Sequence, residues 1–99
     1  MDNPITIIVP IDAKQECRET VRARLVELAA ATRKENGNEF YVLHEAVADP
    51  NQFIIYECWK SQAALDFHMR QDYLTGFLRD SETLLQKTII GTICREIEI

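Results

Sequence analysis

The chain has 99 residues, 46% of them apolar, with 11 Lys and Arg set against 16 Asp and Glu for a formal net charge of −5. That length suits a single domain, and with only three Gly and three Pro the composition is globular rather than disordered or collagen-like. An acidic chain without a basic cluster is a poor match for nucleic-acid phosphates, and no run approaches the roughly 18 consecutive apolar residues of a membrane span, so neither partner is expected.

The start, Met1-Asp2-Asn3-Pro4, lacks the basic and apolar regions of a secretory signal. Cys17, Cys58 and Cys94 are odd in number and lack CxxC spacing, which argues against a disulfide framework or structural zinc. A cytoplasmic location is the expectation.

In chain order, Ile5-Thr6-Ile7-Ile8-Val9, extending to Ile11 and stopping at Asp12, is β-branched and predicts a strand. Asp12 with Gln15 three residues later has capping-box spacing. Beyond it Cys17, Val21, Leu25, Leu28, Ala29 and Thr32 recur at helical intervals, with Arg18, Glu19, Arg22, Glu27 and Arg33 mostly opposite. The pattern predicts an amphipathic helix of about five turns. It ends at Glu35-Asn36-Gly37-Asn38, where Gly37 can take a left-handed terminal conformation.

Residues 39–47 form the next predicted strand, 48–52 carry turn chemistry, and 53–59 run back to complete a hairpin. Ser61 can cap a short helix through Ala63, Ala64, Phe67 and His68. A second helical segment carries Tyr73, Leu74, Phe77 and Leu78, and a last strand runs roughly from Gln86 to Ile97. The order β-α-β-β-α-β is the ferredoxin-like α+β pattern, one antiparallel sheet with helices on one face.

The strands are apolar on both faces. Phe53, Ile55, Glu57 and Trp59 share one side of their strand and Ile54, Tyr56 and Cys58 the other; Ile5, Ile7 and Val9 oppose Thr6 and Ile8. A sheet with one wet face should alternate apolar and polar residues. Helices can cover one face only, and each aliphatic side chain buried is worth roughly 1.5–3 kcal/mol. A second copy of the chain, sheet against sheet about a two-fold axis, is the expected cover.

Few residues can carry chemistry. The two histidines are His44, mid-strand, and His68, beside Phe67 on the short helix. Taken alone, a helical His is more often packed or solvated than a base. Glu57 stands between Ile55 and Trp59, where a carboxylate is costly unless paired, so it is either a structural acceptor or a pocket acid with a raised pKa. Trp59, the sole tryptophan, can serve as core or as a flat wall for an aromatic ligand. No HxH or HxxxH spacing supports a metal, and no Gly-rich phosphate loop or nucleophile elbow is present, so no cofactor or metal is expected.

In the middle of the chain Asn36-Gly37-Asn38-Glu39-Phe40-Tyr41, Asp49-Pro50-Asn51-Gln52-Phe53, Tyr56-Glu57-Cys58-Trp59 and Ala63-Ala64-Leu65-Asp66-Phe67-His68 follow in order the pattern G-N-x-x-Y, D-P-x-x-F, E-x-W and A-x-x-x-H. This series resembles the antibiotic biosynthesis monooxygenase family, which includes quinol monooxygenases, across one domain spanning 1–99 with its core at about 5–95. The resemblance implies a dimeric α+β barrel, with an active site between sheet and helices of each subunit. It also implies oxidation of a quinol-like or phenolic aromatic by O₂, often with no flavin or metal. His68 would then be the base, with Glu57 orienting it or binding substrate. Trp59 and Tyr41 would wall the pocket, and Phe67 and Tyr73 are the further aromatics assigned to substrate. The related haem-degrading branch needs an axial His and a Trp where this chain has Leu78 and His68, which argues against haem. Two other functions remain open: isomerisation of a small phosphorylated signal, for which Lys60 and Arg70 would be the cations, and a non-catalytic ligand-binding or stress-response module.

Overall fold

The computed structural model describes residues 3–99; Met1 and Asp2, the first residues of the segment read above for a secretory signal, lie outside the described residues. Strand β1 (Ile5–Asp12) leads through a 3₁₀ turn (Gln15–Cys17) into helix α1 (Arg18–Thr32). Strands β2 (Asn38–Glu45) and β3 (Gln52–Trp59) form the hairpin. Helices α2 (Gln62–Met69) and α3 (Asp72–Leu84) precede the short β4 (Thr92–Cys94). The sheet is antiparallel throughout in the order β2-β3-β1-β4, the expected ferredoxin-like α+β arrangement.

Register explains which residues meet under the helices. Tyr41 pairs with Glu57, Glu57 with Ile7, and Ile7 with Ile93, a row across all four strands. Because side chains alternate along a strand, Phe53, Ile55, Glu57 and Trp59 all face inward and all are buried. Helix α1 closes this face with Val21, Leu25, Leu28, Ala29 and Thr32, and α3 with Leu74 and Phe77. Among the described residues the other face lacks such a cover: Ile8 is 42% and Tyr56 43% exposed, and the ring of Phe40 leans on Tyr56 at 4.9 Å between centroids.

Three local expectations are corrected. Asp12 does not cap α1: β1 runs through it, its carboxylate accepts from Gln52 Nε2 at 3.0 Å, and α1 starts after Cys17 with no side-chain cap. Gly37 is not left-handed, for no described glycine has positive φ; it is needed for a close approach described below. The last strand is three residues long rather than twelve. Its ladder would continue past Ile8 and Thr92 onto Pro10, which has no N–H to give. The edge of β1 beyond that point is occupied instead by Gln86, whose N–H donates to Asp12 O at 2.8 Å.

Candidate active site

Glu57 and Trp59 stand side by side on β3, and the Trp59 indole N–H donates to Glu57 Oε1 at 2.8 Å. Two residues after Trp59 the Ser61 hydroxyl accepts from Ala64 N at 3.2 Å, capping α2 and turning the chain back over the indole. His68, on the buried face of α2, therefore lands on Trp59, with ring centroids 4.4 Å apart and planes inclined by 33°. Glu57 is 5% and His68 2% exposed.

Beyond His68 stands Glu35. His68 Nδ1 lies 2.7 Å from Glu35 Oε2, and the Tyr73 hydroxyl, near the start of α3, donates to the same oxygen. Glu35 reaches this place through a tight turn. Its N–H donates to Thr32 O at 3.0 Å, its own carbonyl accepts from Asn38 N at 3.1 Å, and Gly37 O accepts from Lys60 N at 2.9 Å. Any Cβ at Gly37 would collide with the Cβ of Ala64. Ala64 and His68 lie one helical turn apart on the same face, so the approach that only glycine allows is also what brings Glu35 to His68.

A carboxylate only accepts hydrogen bonds, so in the neutral imidazole Nδ1 carries the hydrogen and Nε2 presents its lone pair. Nε2 takes no protein partner among the described residues. Glu35 Oε1 is buried and also without a partner among them. An unpaired buried acceptor costs about 1–3 kcal/mol, and such costs are tolerated where function requires them.

His68 lines a cavity of about 460 Å³ between sheet and helices. Ile7, Val9, Ile11 and Ile55 form its floor and Leu65, Leu74, Phe77 and Leu78 its roof, and Met69 and Gly91 also line it. The polar lining is Tyr41, Glu57, Gln62, Asp66 and His68; no Lys or Arg contributes. Burial pushes the Glu57 carboxyl above the usual carboxylate range; the Trp59 hydrogen bond and His68 oppose that shift, and the charge of Glu35 adds to it. The Tyr41 phenol is held well above its ordinary value by burial, then by Glu57 and Glu35. Tyr73 is raised by burial and by its hydrogen bond to Glu35.

Residues 4–80, from β1 through most of α3, match the family described as Antibiotic biosynthesis monooxygenase. The chain belongs to the antibiotic biosynthesis monooxygenase family. It is 36% identical over 75 residues to a Bacillus subtilis protein named "Putative monooxygenase YcnE", covering 76% of this chain and 79% of that one. It is 26% identical over 98 residues to the Mycobacterium tuberculosis "Putative monooxygenase Rv0793", covering 99% and 96%. The solved structure of PA3566 from Pseudomonas aeruginosa matches with a TM-score of 0.92 at 31% identity, over 99% of this chain and 98% of that one.

Within this antibiotic biosynthesis monooxygenase fold, the residues singled out from sequence separate into three groups. His68, Glu57 and Tyr41 line one cavity. Trp59 and Tyr73 stand behind it: Trp59 is fully buried under His68, and Tyr73 holds Glu35, so neither forms part of the lining. Phe67 is half exposed and outside the lining, as are the exposed Lys60 and Arg70, and His44 is exposed on β2. Glu57 does not orient His68; its partner is Trp59. The orienting carboxylate is Glu35, which sequence reasoning read only as part of a helix end. Among the described residues no group of three His, Cys, Asp or Glu could hold a metal ion, and no helix is long and apolar enough to cross a membrane.

Proposed function

We propose that the protein oxygenates a small quinol-like or phenolic aromatic with O₂, the substrate itself supplying the electrons. The observation that carries this reading is His68, its Nδ1 held by a buried carboxylate, its Nε2 without a protein partner among the described residues, and its ring lining an apolar cavity. An imidazole so placed takes a proton from a bound hydroxyl, and the cavity volume lies within the usual range for small-molecule sites. The resulting phenolate gives electrons to O₂ and forms a carbon–oxygen bond at a ring carbon ortho or para to it that bears hydrogen. The peroxide takes back the proton from His68. Loss of the ring carbon's own hydrogen as a proton then breaks the O–O bond, leaving a carbonyl and hydroxide, and that proton turns hydroxide into water. One oxygen atom enters the product, one leaves as water, and the substrate loses two hydrogens.

A phosphorylated ligand is disfavoured, because among the described residues no cation lines the cavity while Glu57 and Asp66 do. The test is O₂ uptake above enzyme-free autoxidation across a panel of hydroquinones and naphthols, menadiol among them. His68→Ala is expected to lower it by about 10²–10⁴-fold, the usual contribution of a general base. Labelled O₂ should place one heavy atom in the product and one in water. No enzyme-dependent uptake across the panel, with ligands still raising the melting temperature, would favour a non-catalytic binding module.

The same reading includes a homodimer. Ile8, Val42 and Tyr56 are exposed on the open face of the sheet, with the half-buried Phe40 against Tyr56, and a second copy placed there is supported by that exposure and by the two-fold pairing such faces adopt.

A further inference from the structure

We infer that Glu57 works as a neutral carboxylic acid which, with the Tyr41 hydroxyl, donates hydrogen bonds to a carbonyl or hydroxyl oxygen of the ligand, at the same end of the cavity as His68. This deepens the oxygenase reading and rests on it for the substrate class: the ligand must carry an acceptor oxygen as well as an ionisable hydroxyl.

Tyr41 and Glu57 are directly opposed residues of β2 and β3 on the inward face, and such pairs have Cβ atoms about 4.5–5.5 Å apart. Both side chains line the cavity. Glu57 Oε1 is engaged by the Trp59 N–H, whereas Oε2 and the Tyr41 hydroxyl take no protein partner among the described residues. The groups facing Glu57 from the surrounding elements are Tyr41 on β2, His68 on α2 and Glu35 after α1; its neighbours on β1 and β4 are Ile7 and Ile93. No Lys or Arg stands among the cavity residues to hold Glu57 ionised. A neutral acid can donate where a carboxylate can only accept. A quinone carbonyl, or the phenolate oxygen as charge builds on it, is the acceptor that such a pair of donors fits.

The test exploits Trp59 as the sole tryptophan, with its N–H on Glu57 itself. In isotope-labelled protein the single indole N–H resonance is expected to titrate with a midpoint above the ordinary carboxylate range, and this titration is absent in Glu57→Gln. Duroquinone serves as the binding probe because it has two carbonyl acceptors, no ionisable group and no free ring position for a thiol to attack. Its quenching of Trp59 fluorescence is expected below that midpoint and should weaken about tenfold above it, the scale of one lost hydrogen bond. Glu57→Gln, whose amide both accepts from Trp59 and donates to the ligand, should bind within about threefold of wild type with no pH dependence, whereas Glu57→Leu should lose about tenfold. An indole midpoint within the ordinary range, no duroquinone binding at low pH, or loss of binding in Glu57→Gln as complete as in Glu57→Leu overturns the inference. These readouts involve no turnover. Binding that behaves as stated while O₂ uptake is absent would reject the oxygenase reading and leave the role of Glu57 intact.

Discussion

At the scale of single residues, the site is two carboxylates with opposite tasks. Glu35 receives hydrogen bonds from His68 and Tyr73, while Glu57 receives one from Trp59 and lines the cavity beside Tyr41. Glu35→Gln keeps the shape and leaves one oxygen able to accept from both His68 and Tyr73, since both bond to Oε2, but it removes the negative charge that favours a proton on His68. We expect about a 10–100-fold loss of turnover with the melting temperature nearly unchanged, the size of effect seen when a histidine's orienting partner is altered. Tyr73→Phe leaves the His68 contact in place and should cost only a few-fold; an equal loss in both would place Tyr73 in the chemistry itself. Glu57 also makes a stability prediction whose sign is fixed. Its folded pKa is raised, so the native state holds a proton that the unfolded state gives up. That contribution is fully present below the unfolded value and lost as pH rises through the folded one. Melting curves from pH 5 to pH 9 should therefore fall more steeply for wild type than for Glu57→Gln, and parallel curves would show that Glu57 is ionised throughout.

At the scale of elements, the decisive contact is between the turn after α1 and the face of α2. Gly37→Ala drives a methyl group into Ala64 and moves the turn that carries Glu35. The expected cost is about 1–3 kcal/mol of stability, as for overpacking elsewhere, together with a loss of turnover. The double variant Gly37→Ala, Ala64→Gly opens the needed space at about 1 kcal/mol for a helical glycine. A chemical-denaturation cycle should therefore show the two substitutions costing less together than the sum of each alone; simple additivity would mean the turn is not packed as described. This contact also marks where sequence reading stops. The periods of β1, α1, the hairpin and the two later helices are local properties, and so are the Ser61 cap and the Asp49 turn, where Asp49 Oδ1 accepts from Asn51 N at 2.9 Å. His68, Glu57 and Tyr41 were legible because few polar residues occupy apolar positions. Glu35 was not, because its partner is 33 residues away and its approach depends on a missing Cβ. Asp12 followed by Gln15 carries the spacing of a helix cap, yet Gln52, brought opposite it by the pairing of β3 with β1, takes the carboxylate instead. The length of the last strand was misread because Pro10, a β1 residue, ends its ladder from the other side.

At the scale of the whole molecule, the sheet has one face under α1, α2 and α3 and one face with nothing over it among the described residues. Ile8 and Tyr56 lie directly opposite each other on β1 and β3 at the middle of that open face. Full burial of such a side chain is worth roughly 1.5–3 kcal/mol, and Ile8 and Tyr56, 42% and 43% exposed, leave close to half of that for a cover to supply. If a second copy is the cover, each residue near the two-fold axis faces its own counterpart or a close neighbour. A charge introduced at Ile8 then appears twice, desolvated and close to itself, whereas in a single copy it would sit half in water and cost little, as exposed substitutions do. Ile8→Glu and Tyr56→Glu should therefore separate assembly from folding. Light scattering at about ten micromolar should find wild type at twice the 11.4 kDa chain mass and both variants at the single-chain mass, with unchanged far-ultraviolet circular dichroism. Their melting temperatures should depend less on protein concentration than that of wild type, because dissociation no longer accompanies unfolding. A wild-type particle of single-chain mass at that concentration would leave the open face without its partner and remove this account of why both sides of the sheet are apolar.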